Sequence, residues 1–348
     1  MKGAVLYESG KPLVVEDGIQ LPELPEQYAH VQVLYSGVCR SQLMEVRGMR
    51  GEDRYLPHLL GHEGVGRVLR TGSAVSKVKA GDIVVMGWIK GEGRDGAGLK
   101  FRSQRGATIN AGPISTFSTE TIVAENRLVP LPPAIPPEQG VLLGCALPTG
   151  TGMVLNHANP PPGSSLGIFG LGGVGMSALM ASALQDCSVR LAVDIEDSRL
   201  LLAKKLGATH TIDASQEGVL SKVMEITGGR GLDFCVEATG RVDGIELAFS
   251  ATRRFGGLCV FASHPEHGRM IRVDPFELIC GKRLEGSWGG NALPDRDIPR
   301  LGELYAKGQL PLSEFISAPY SLDQINNALD DLENHRIVRA IVRMDQAQ

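Results

Sequence analysis

The pattern of hydrophobic positions changes character near residue 150. Before that point, short apolar runs alternate with Gly and Pro turns, as in "HVQVLYSGV" (30–38), "GVGRVLRTG" (64–72) and "AGDIVVMGW" (80–88). Apolar runs of four to eight residues bounded by turn residues are typical of strands. We therefore predict a compact, antiparallel, barrel-like domain in the first part of the chain.

After residue 150, apolar strands alternate with helical patterns. "SLGIFGLGGVGMSALMASAL" (165–184) and "VRLAVDIEDSRLLLAKKLGA" (189–208) each contain a strand followed by a helix, and "LDFCVEATG" (232–240) and "GGLCVFAS" (256–263) add strands. This rhythm indicates βαβ units and a doubly wound parallel sheet. The tail, 321–344, predicts one helix and a final strand.

The segment from about 88 to 115 lacks periodicity and is rich in Gly and Arg, so we predict a loop or lobe. We interpret its basic side chains as part of a solvent-exposed face. The alternative is that they contact an anionic substrate or a neighbouring subunit. These side chains are Arg94, Lys100, Arg102 and Arg105.

Length and composition exclude several classes of protein. A chain of 348 residues exceeds what one core usually serves, and its net charge of −4 gives no reason to expect a nucleic-acid or membrane partner. The start has no apolar signal segment, and the six cysteines are scattered, so we expect a cytoplasmic protein without a disulfide framework.

The motif "GLGGVG" fits the G-x-G-x-x-G pattern of dinucleotide-binding turns. It follows an apolar strand and opens a helix, the context in which glycines let backbone approach a pyrophosphate at a helix N-terminus. The strand after it ends at Asp194, where a carboxylate accepts hydrogen bonds from ribose hydroxyls and repels a 2′-phosphate, which favours NAD over NADP. The residues of the motif are Gly170, Leu171, Gly172, Gly173, Val174 and Gly175.

Cys39, His62 and Cys145 together form a Cys₂His set, which suits catalytic Zn²⁺ with one open position. Each residue alone has a simpler interpretation, since a lone Cys is often an inert core residue. The other four cysteines are interpreted as packing residues, and spacing alone does not show that the three candidates meet.

The motifs "GVCRS", "GHEGVG", "GDIV", "GCALPTG" and "GLGGVG" occur in the order found in the zinc-dependent medium-chain dehydrogenase/reductase family, which the chain resembles nearly end to end. The resemblance implies an α/β protein with a GroES-like antiparallel β-barrel catalytic domain and a Rossmann cofactor domain. It places the catalytic domain at 1–147, the NAD-binding domain at 148–290 and the return to the catalytic domain at 291–348.

The resemblance also implies roles for individual residues. Cys39, His62 and Cys145 would bind one catalytic zinc, Glu63 would lie near the metal, and Ser41 would bond the substrate alcohol and begin a proton relay. The cofactor residues implied in addition to the glycine turn and Asp194 are Arg40, Thr149, Arg199 and Arg339. The implied reaction interconverts an alcohol and its aldehyde or ketone with NAD(H), in a homodimer or homotetramer.

Three departures from the family pattern stand out. Family members often carry Asp where this chain has Gln42, and several end the proton relay with His where it has Met44. Residues 86–116 contain no cysteine, which excludes a structural Cys₄ zinc there. A polyol or sugar dehydrogenase, a zinc-free quinone or enoyl reductase, and a catalytically retired NAD-binding or structural relative stay open as alternatives.

Overall fold

The computed structural model describes residues 1–344. Its strands, in chain order, are β1 (Gly3–Leu6), β2 (Val14–Glu16), β3 (Tyr28–Val38), β4 (His58–Leu59), β5 (Glu63–Thr71), β6 (Ile83–Gly87), β7 (Lys100–Arg102), β8 (Thr108–Ala111), β9 (Glu120–Ala124), β10 (Leu128–Pro130), β11 (Ser165–Phe169), β12 (Val189–Asp194), β13 (His210–Asp213), β14 (Phe234–Glu237), β15 (Leu258–Phe261), β16 (Arg283–Gly286), β17 (Tyr320–Ser321) and β18 (Ala340–Arg343).

The helices connect these strands or cover them. They are α1 (Arg40–Val46), α2 (Pro137–Gly140), α3 (Ala146–Gly152), α4 (Gly173–Leu184), α5 (Asp197–Lys205), α6 (Val219–Ile226), α7 (Val242–Ala251), α8 (Pro275–Ile279), α9 (Pro294–Ala306) and α10 (Ile325–Glu333). A π-helix spans Met153–Ala158, and 3₁₀ turns lie at Glu125–Arg127, Val141–Gly144, Gly289–Asn291, Leu312–Phe315 and Leu322–Gln324. Within the described residues, no helix combines the length and apolar character needed to cross a bilayer.

The chain forms two compact units. Among the described residues, unit 1 comprises 1–145 and 293–344, and unit 2 comprises 146–292. The sequence predicted these divisions after residues 147 and 290.

Unit 1 is built on two sheets. One has the order β2-β1-β4-β8-β7, and the other has the order β10-β6-β5-β3-β18-β17 with β9 also paired to β3. Most pairings are antiparallel, as predicted, but β4 and β8 run parallel, as do β17 and β18. Helix α10 buries Ile325, Ala328 and Leu329, whose spacing forms one apolar face, against this core.

The prediction of an irregular segment at 88–115 was partly wrong. Strands β7 and β8 form an antiparallel pair inside it, and Phe101 and Ile109 are fully buried there. With only three and four residues, these strands are too short for alternation to be recognised among the surrounding glycines.

Two carboxylates anchor the start of this segment, at Glu92 and Arg94. Glu125, 2% exposed, accepts hydrogen bonds from the backbone N–H groups of Ser76 (2.6 Å), Lys77 (2.8 Å) and Arg94 (2.9 Å). Asp295 accepts another from the Glu92 N–H and forms an ion pair with Lys77. Buried backbone donors need partners, and side-chain carboxylates supply them here.

Unit 2 contains a six-stranded sheet in the order β13-β12-β11-β14-β15-β16. Every adjacent pair is parallel, and strands β11, β12 and β14 are largely buried. Strand order reverses between β11 and β14, and at such a switch point open α/β sheets bind ligands beyond the carboxyl ends of their strands. The glycine motif lies there, where β11 leads into the first turn of α4.

Candidate metal centre and dinucleotide turn

Four side chains of unit 1 converge on a potential metal site. One ligand atom from each of Cys39, His62, Glu63 and Cys145 lies within 4.8 Å of the others. Cys39 is the N-cap of α1, directly after β3, while His62 precedes β5 and Glu63 is the first residue of that strand. Cys145 ends the 3₁₀ turn Val141–Gly144. The structure thus brings together three residues that the sequence separates widely.

The donor set fits Zn²⁺. Nε2 of His62 is buried and has no hydrogen-bond partner among the described residues, so no protein group occupies this ring nitrogen. Two cysteine sulfurs and one imidazole are the ligands of catalytic zinc sites that keep a fourth position open. The residues present would therefore hold the metal that the sequence predicts.

The two thiols differ sharply in acidity. A hydrogen bond from Cys145 lowers the pKa of Cys39 well below its usual value; burial opposes this, and the charge of Arg339 and the contact with His62 support it. The same hydrogen bond, together with burial, raises the pKa of Cys145 well above its usual value. The thiolate is the ligand form of cysteine, and the lowered pKa of Cys39 favours that form.

Glu63 and Arg339 form a buried ion pair beside the sulfurs. The Arg339 guanidinium donates to Oε1 of Glu63, and the two residues are 4% and 0% exposed. Burial raises the pKa of Glu63, which the charge of Arg339 partly offsets. Burial alone would lower the pKa of Arg339, but Glu63 and the Cys39 thiolate raise it, so the guanidinium stays charged.

The missing side chain of Gly37 leaves space for the carboxylate of Glu63. A Cβ added at Gly37, on β3, would lie 2.8 Å from the Glu63 carboxyl carbon, so a larger residue would displace the side chain. Oε2 of Glu63 is buried without a hydrogen-bond partner within residues 1–344. A carboxylate oxygen is thereby left available beside the candidate metal ligands.

Other side chains surround His62. The Ser41 Oγ lies 3.4 Å from Nδ1 of His62, and the Gln42 amide nitrogen contacts the same Nδ1 at close range. The Trp88 ring lies with its centroid 6.4 Å from that of His62, tilted by 48°. Arg40, the first residue of α1, is exposed.

Sequence reasoning missed three features of unit 1: the pairing of Arg339 with Glu63, the position of Trp88, and a second group formed by Glu45, Asp53 and His58. In that group, Nε2 of His58 lies 2.7 Å from Asp53. The residues that form these contacts are separated along the chain, so no local sequence pattern indicated them. The short interval between Asp53 and His58 is a signal that could have indicated the second group.

In unit 2, the glycine motif has the geometry of a dinucleotide-binding turn. Gly170 has φ +89°, and a Cβ at Gly175 would lie 1.8 Å from the Gly170 carbonyl oxygen, so neither position accepts a side chain. A Cβ at Gly172 would meet no atom within 4 Å, which leaves space above the turn. Gly172 caps the N-terminus of α4, which begins at Gly173 and continues through Val174.

Asp194 ends β12 next to this turn. Its carboxylate accepts hydrogen bonds from the N–H groups of Leu171 (2.6 Å), Ile195 (2.8 Å) and Glu196 (3.1 Å). The Arg199 guanidinium lies 3.8 Å from it. Thr149, on α3, is 6% exposed, and its hydroxyl is buried without a partner in the described chain.

Comparisons with known proteins agree with this architecture. Residues 25–133 match the family model of the alcohol dehydrogenase GroES-like domain, and residues 173–307 match that of the zinc-binding dehydrogenase domain. Alcohol dehydrogenase 3 of Hordeum vulgare is 31% identical, over 99% of this chain and 97% of the relative.

Solved structures show the same resemblance. An alcohol dehydrogenase zinc-binding domain protein from Burkholderia ambifaria has a TM-score of 0.91 and 30% identity, and benzyl alcohol dehydrogenase from Acinetobacter calcoaceticus has 0.89 and 28%; each match covers 99% of both chains. The predicted fold and the predicted class, a zinc-dependent alcohol oxidoreductase, are confirmed. The chain belongs to the zinc-dependent alcohol dehydrogenases of the medium-chain dehydrogenase/reductase family.

Proposed function

We propose that this enzyme oxidises an alcohol to its aldehyde or ketone with NAD⁺, using one catalytic zinc bound by Cys39, His62 and Cys145. The observation that carries the proposal is the convergence of these three side chains, one of which, His62, has a buried Nε2 without a protein partner. When bound, Zn²⁺ supplies a Lewis acid that polarises the substrate oxygen.

The remaining residues bind, orient and move protons. The Ser41 hydroxyl, beside His62, would accept the proton of the substrate alcohol. Glu63 would lend negative charge next to the metal, and Arg339 would oppose protonation of that carboxylate and fix it in place. Because Met44 cannot carry a proton, the relay would leave by another route than in relatives that have His at that position.

For the cofactor, we assign the pyrophosphate to the turn 170–175 and the adenosine ribose to Asp194, with Arg199 and Thr149 as further contacts. Arg40 and Arg339 are proposed as additional partners of the pyrophosphate. The carboxylate of Asp194 would repel a 2′-phosphate, so NAD is the proposed cofactor rather than NADP.

For the substrate, we favour an aromatic alcohol. The Trp88 ring close to His62 would offer a flat apolar wall beside the metal centre, against which an aromatic ring packs well. The benzyl alcohol dehydrogenase of similar structure supports the same class. A polyol dehydrogenase is the nearest alternative.

We also propose a homodimer or homotetramer. Strand β16 is the open edge of the unit 2 sheet, and the neighbouring helix α8 buries none of its residues. Phe276 and Ile279, on that helix, are 56% and 79% exposed, and Phe255 nearby is 79% exposed. A second copy pairing along β16 would cover this apolar surface and complete the edge.

A cytoplasmic location completes the proposal, with no nucleic-acid or membrane partner. All six cysteines are free thiols, and two of them are needed as metal ligands, which fits a reducing compartment.

A combined metal and activity measurement tests the function. Purified protein should contain one zinc per chain and reduce NAD⁺ faster with benzyl alcohol than with ethanol or sorbitol, and NADP⁺ should serve poorly. Higher kcat/KM for sorbitol would favour the polyol dehydrogenase. NADH binding without turnover of any alcohol or aldehyde would indicate the retired relative.

A further inference from the structure

Gln42 occupies a position of unusual influence in unit 1. It is 2% exposed and stands three residues after Cys39, as the third residue of α1. Its side chain reaches two groups at once, the backbone N–H of Cys39 and Nδ1 of His62. One amide therefore links two of the candidate metal ligands.

The orientation of this amide is fixed by its bond to the backbone. The Cys39 N–H donates to Oε1 of Gln42 over 3.0 Å, half of the capping box that begins α1. An amide turned by 180° would place an N–H group against that N–H donor. Because only the oxygen can accept, the nitrogen of the amide must face His62.

This orientation selects a tautomer of His62. The amide nitrogen is a donor, so Nδ1 of His62 accepts, and the proton of the neutral imidazole is carried by Nε2. The Ser41 hydroxyl, 3.4 Å from Nδ1, can donate or accept and imposes no choice. Nε2 is buried without a protein partner, so it is the ring nitrogen left to a metal when Nδ1 faces Gln42.

We propose that Gln42 is a positioning residue that opposes metal binding by holding His62 in the Nε2–H tautomer, which lowers the affinity of this site for zinc. The inference rests on the proposed zinc centre. Ligation through Nε2 requires the imidazole proton to move to Nδ1, where it meets the amide N–H. A carboxylate at this position would instead accept from both Cys39 N–H and His62 Nδ1–H, and would add negative charge near the metal.

The test replaces Gln42 by its charged isostere. Zinc affinity of the full-length protein is measured by competition with a chromogenic chelator for wild type, Gln42→Glu and Gln324→Glu. Gln324 is the matched control, because it fills the same place in a second capping box, with Ser321, outside the candidate metal centre. We expect Gln42→Glu to bind zinc roughly 10 to 100 times more tightly, the range typical of groups that orient metal ligands, and Gln324→Glu to match wild type.

A second measurement reads the tautomer directly. Nitrogen-15 NMR of imidazole-labelled, metal-free protein, with the His62 signals assigned through His62→Gln, should show Nε2–H in wild type and Nδ1–H in Gln42→Glu. Nδ1–H in the wild type overturns the inference, as does a folded Gln42→Glu variant that binds zinc no more tightly than wild type.

The two measurements separate this inference from the proposed function. If wild type binds no zinc, the proposed metal centre fails, while the tautomer still decides the role of Gln42. If Gln42→Glu does not fold, as circular dichroism would reveal, the wild-type tautomer gives the answer.

Discussion

The metal centre of unit 1 and the glycine turn of unit 2 are built in opposite ways. The turn is a continuous segment of six residues whose geometry is set by local backbone conformation. The metal centre gathers side chains from residues 39, 62 and 145, with an ion-pair partner at residue 339. A substitution at one glycine alters the geometry of the turn directly. The geometry of the metal centre depends instead on contacts between residues of unit 1 that are far apart in the chain.

The largest expected effect is on catalysis at the metal centre. Cys39→Ser removes a thiolate ligand, and the loss of Lewis-acid stabilisation, several kcal/mol, should lower kcat by on the order of 10³-fold. NADH affinity, measured by fluorescence titration, should stay close to wild type because the turn is untouched. Cys187→Ser, a buried cysteine of unit 2, is the control. Full turnover in metal-free protein would contradict the mechanism.

The next effect is on stability, and it tests the ion pair of Glu63 and Arg339 separately from the metal ligands. Arg339→Met leaves Glu63 buried without its partner, which should lower the free energy of unfolding by about 3–5 kcal/mol in the metal-free protein. Chemical denaturation provides the measurement. Arg343→Met, an exposed arginine of strand β18, is the control and should change stability little. Equal stability of the two variants would show that Glu63 does not depend on this pair.

Two substitutions in the glycine turn should affect folding and cofactor binding separately. Gly175→Ala forces a methyl group against the Gly170 carbonyl and should destabilise unit 2 by about 1–3 kcal/mol, as overpacking does. Gly172→Ala meets no protein atom, so it should leave the melting temperature unchanged and weaken only NADH binding. A reversed pattern, with Gly172→Ala the less stable variant, would refute the assignment of the open side of the turn to the pyrophosphate.

A smaller effect concerns cofactor choice. Asp194→Ser removes a charged hydrogen-bond acceptor, worth about 1.5–3 kcal/mol, and should reduce the preference for NAD⁺ over NADP⁺ by roughly 10 to 100 times in kcat/KM. Asp213→Ser, at the paired position on β13, is the control. An unchanged preference would remove Asp194 from the ribose site.

Sequence reasoning was most successful where structure is local. The glycine motif and the alternation of strands and helices in unit 2 depend on neighbouring residues, and the α/β fold they predicted is confirmed. For the metal centre, the ligand types were visible, but only the order of motifs shared with a known family suggested that Cys39, His62 and Cys145 meet.

What could not be predicted depends on tertiary packing. Nothing near Arg339 indicates that its side chain would lie buried against Glu63, since the two residues are 276 positions apart. Strands β7 and β8 were missed because burial of Phe101 and Ile109 by distant residues such as Val5 and Ile19, rather than local periodicity, stabilises them. The individual roles assigned to the site residues stay predictions.

The carboxylate of Glu125, which joins the backbone of the lobe at Arg94 to that of Ser76 and Lys77, has a consequence for the protein when zinc is removed. A region fastened by hydrogen bonds needs no ion to keep its shape, so we expect chelation to silence the enzyme while leaving it folded. The metal-free protein would stay folded and would regain activity when zinc is added again.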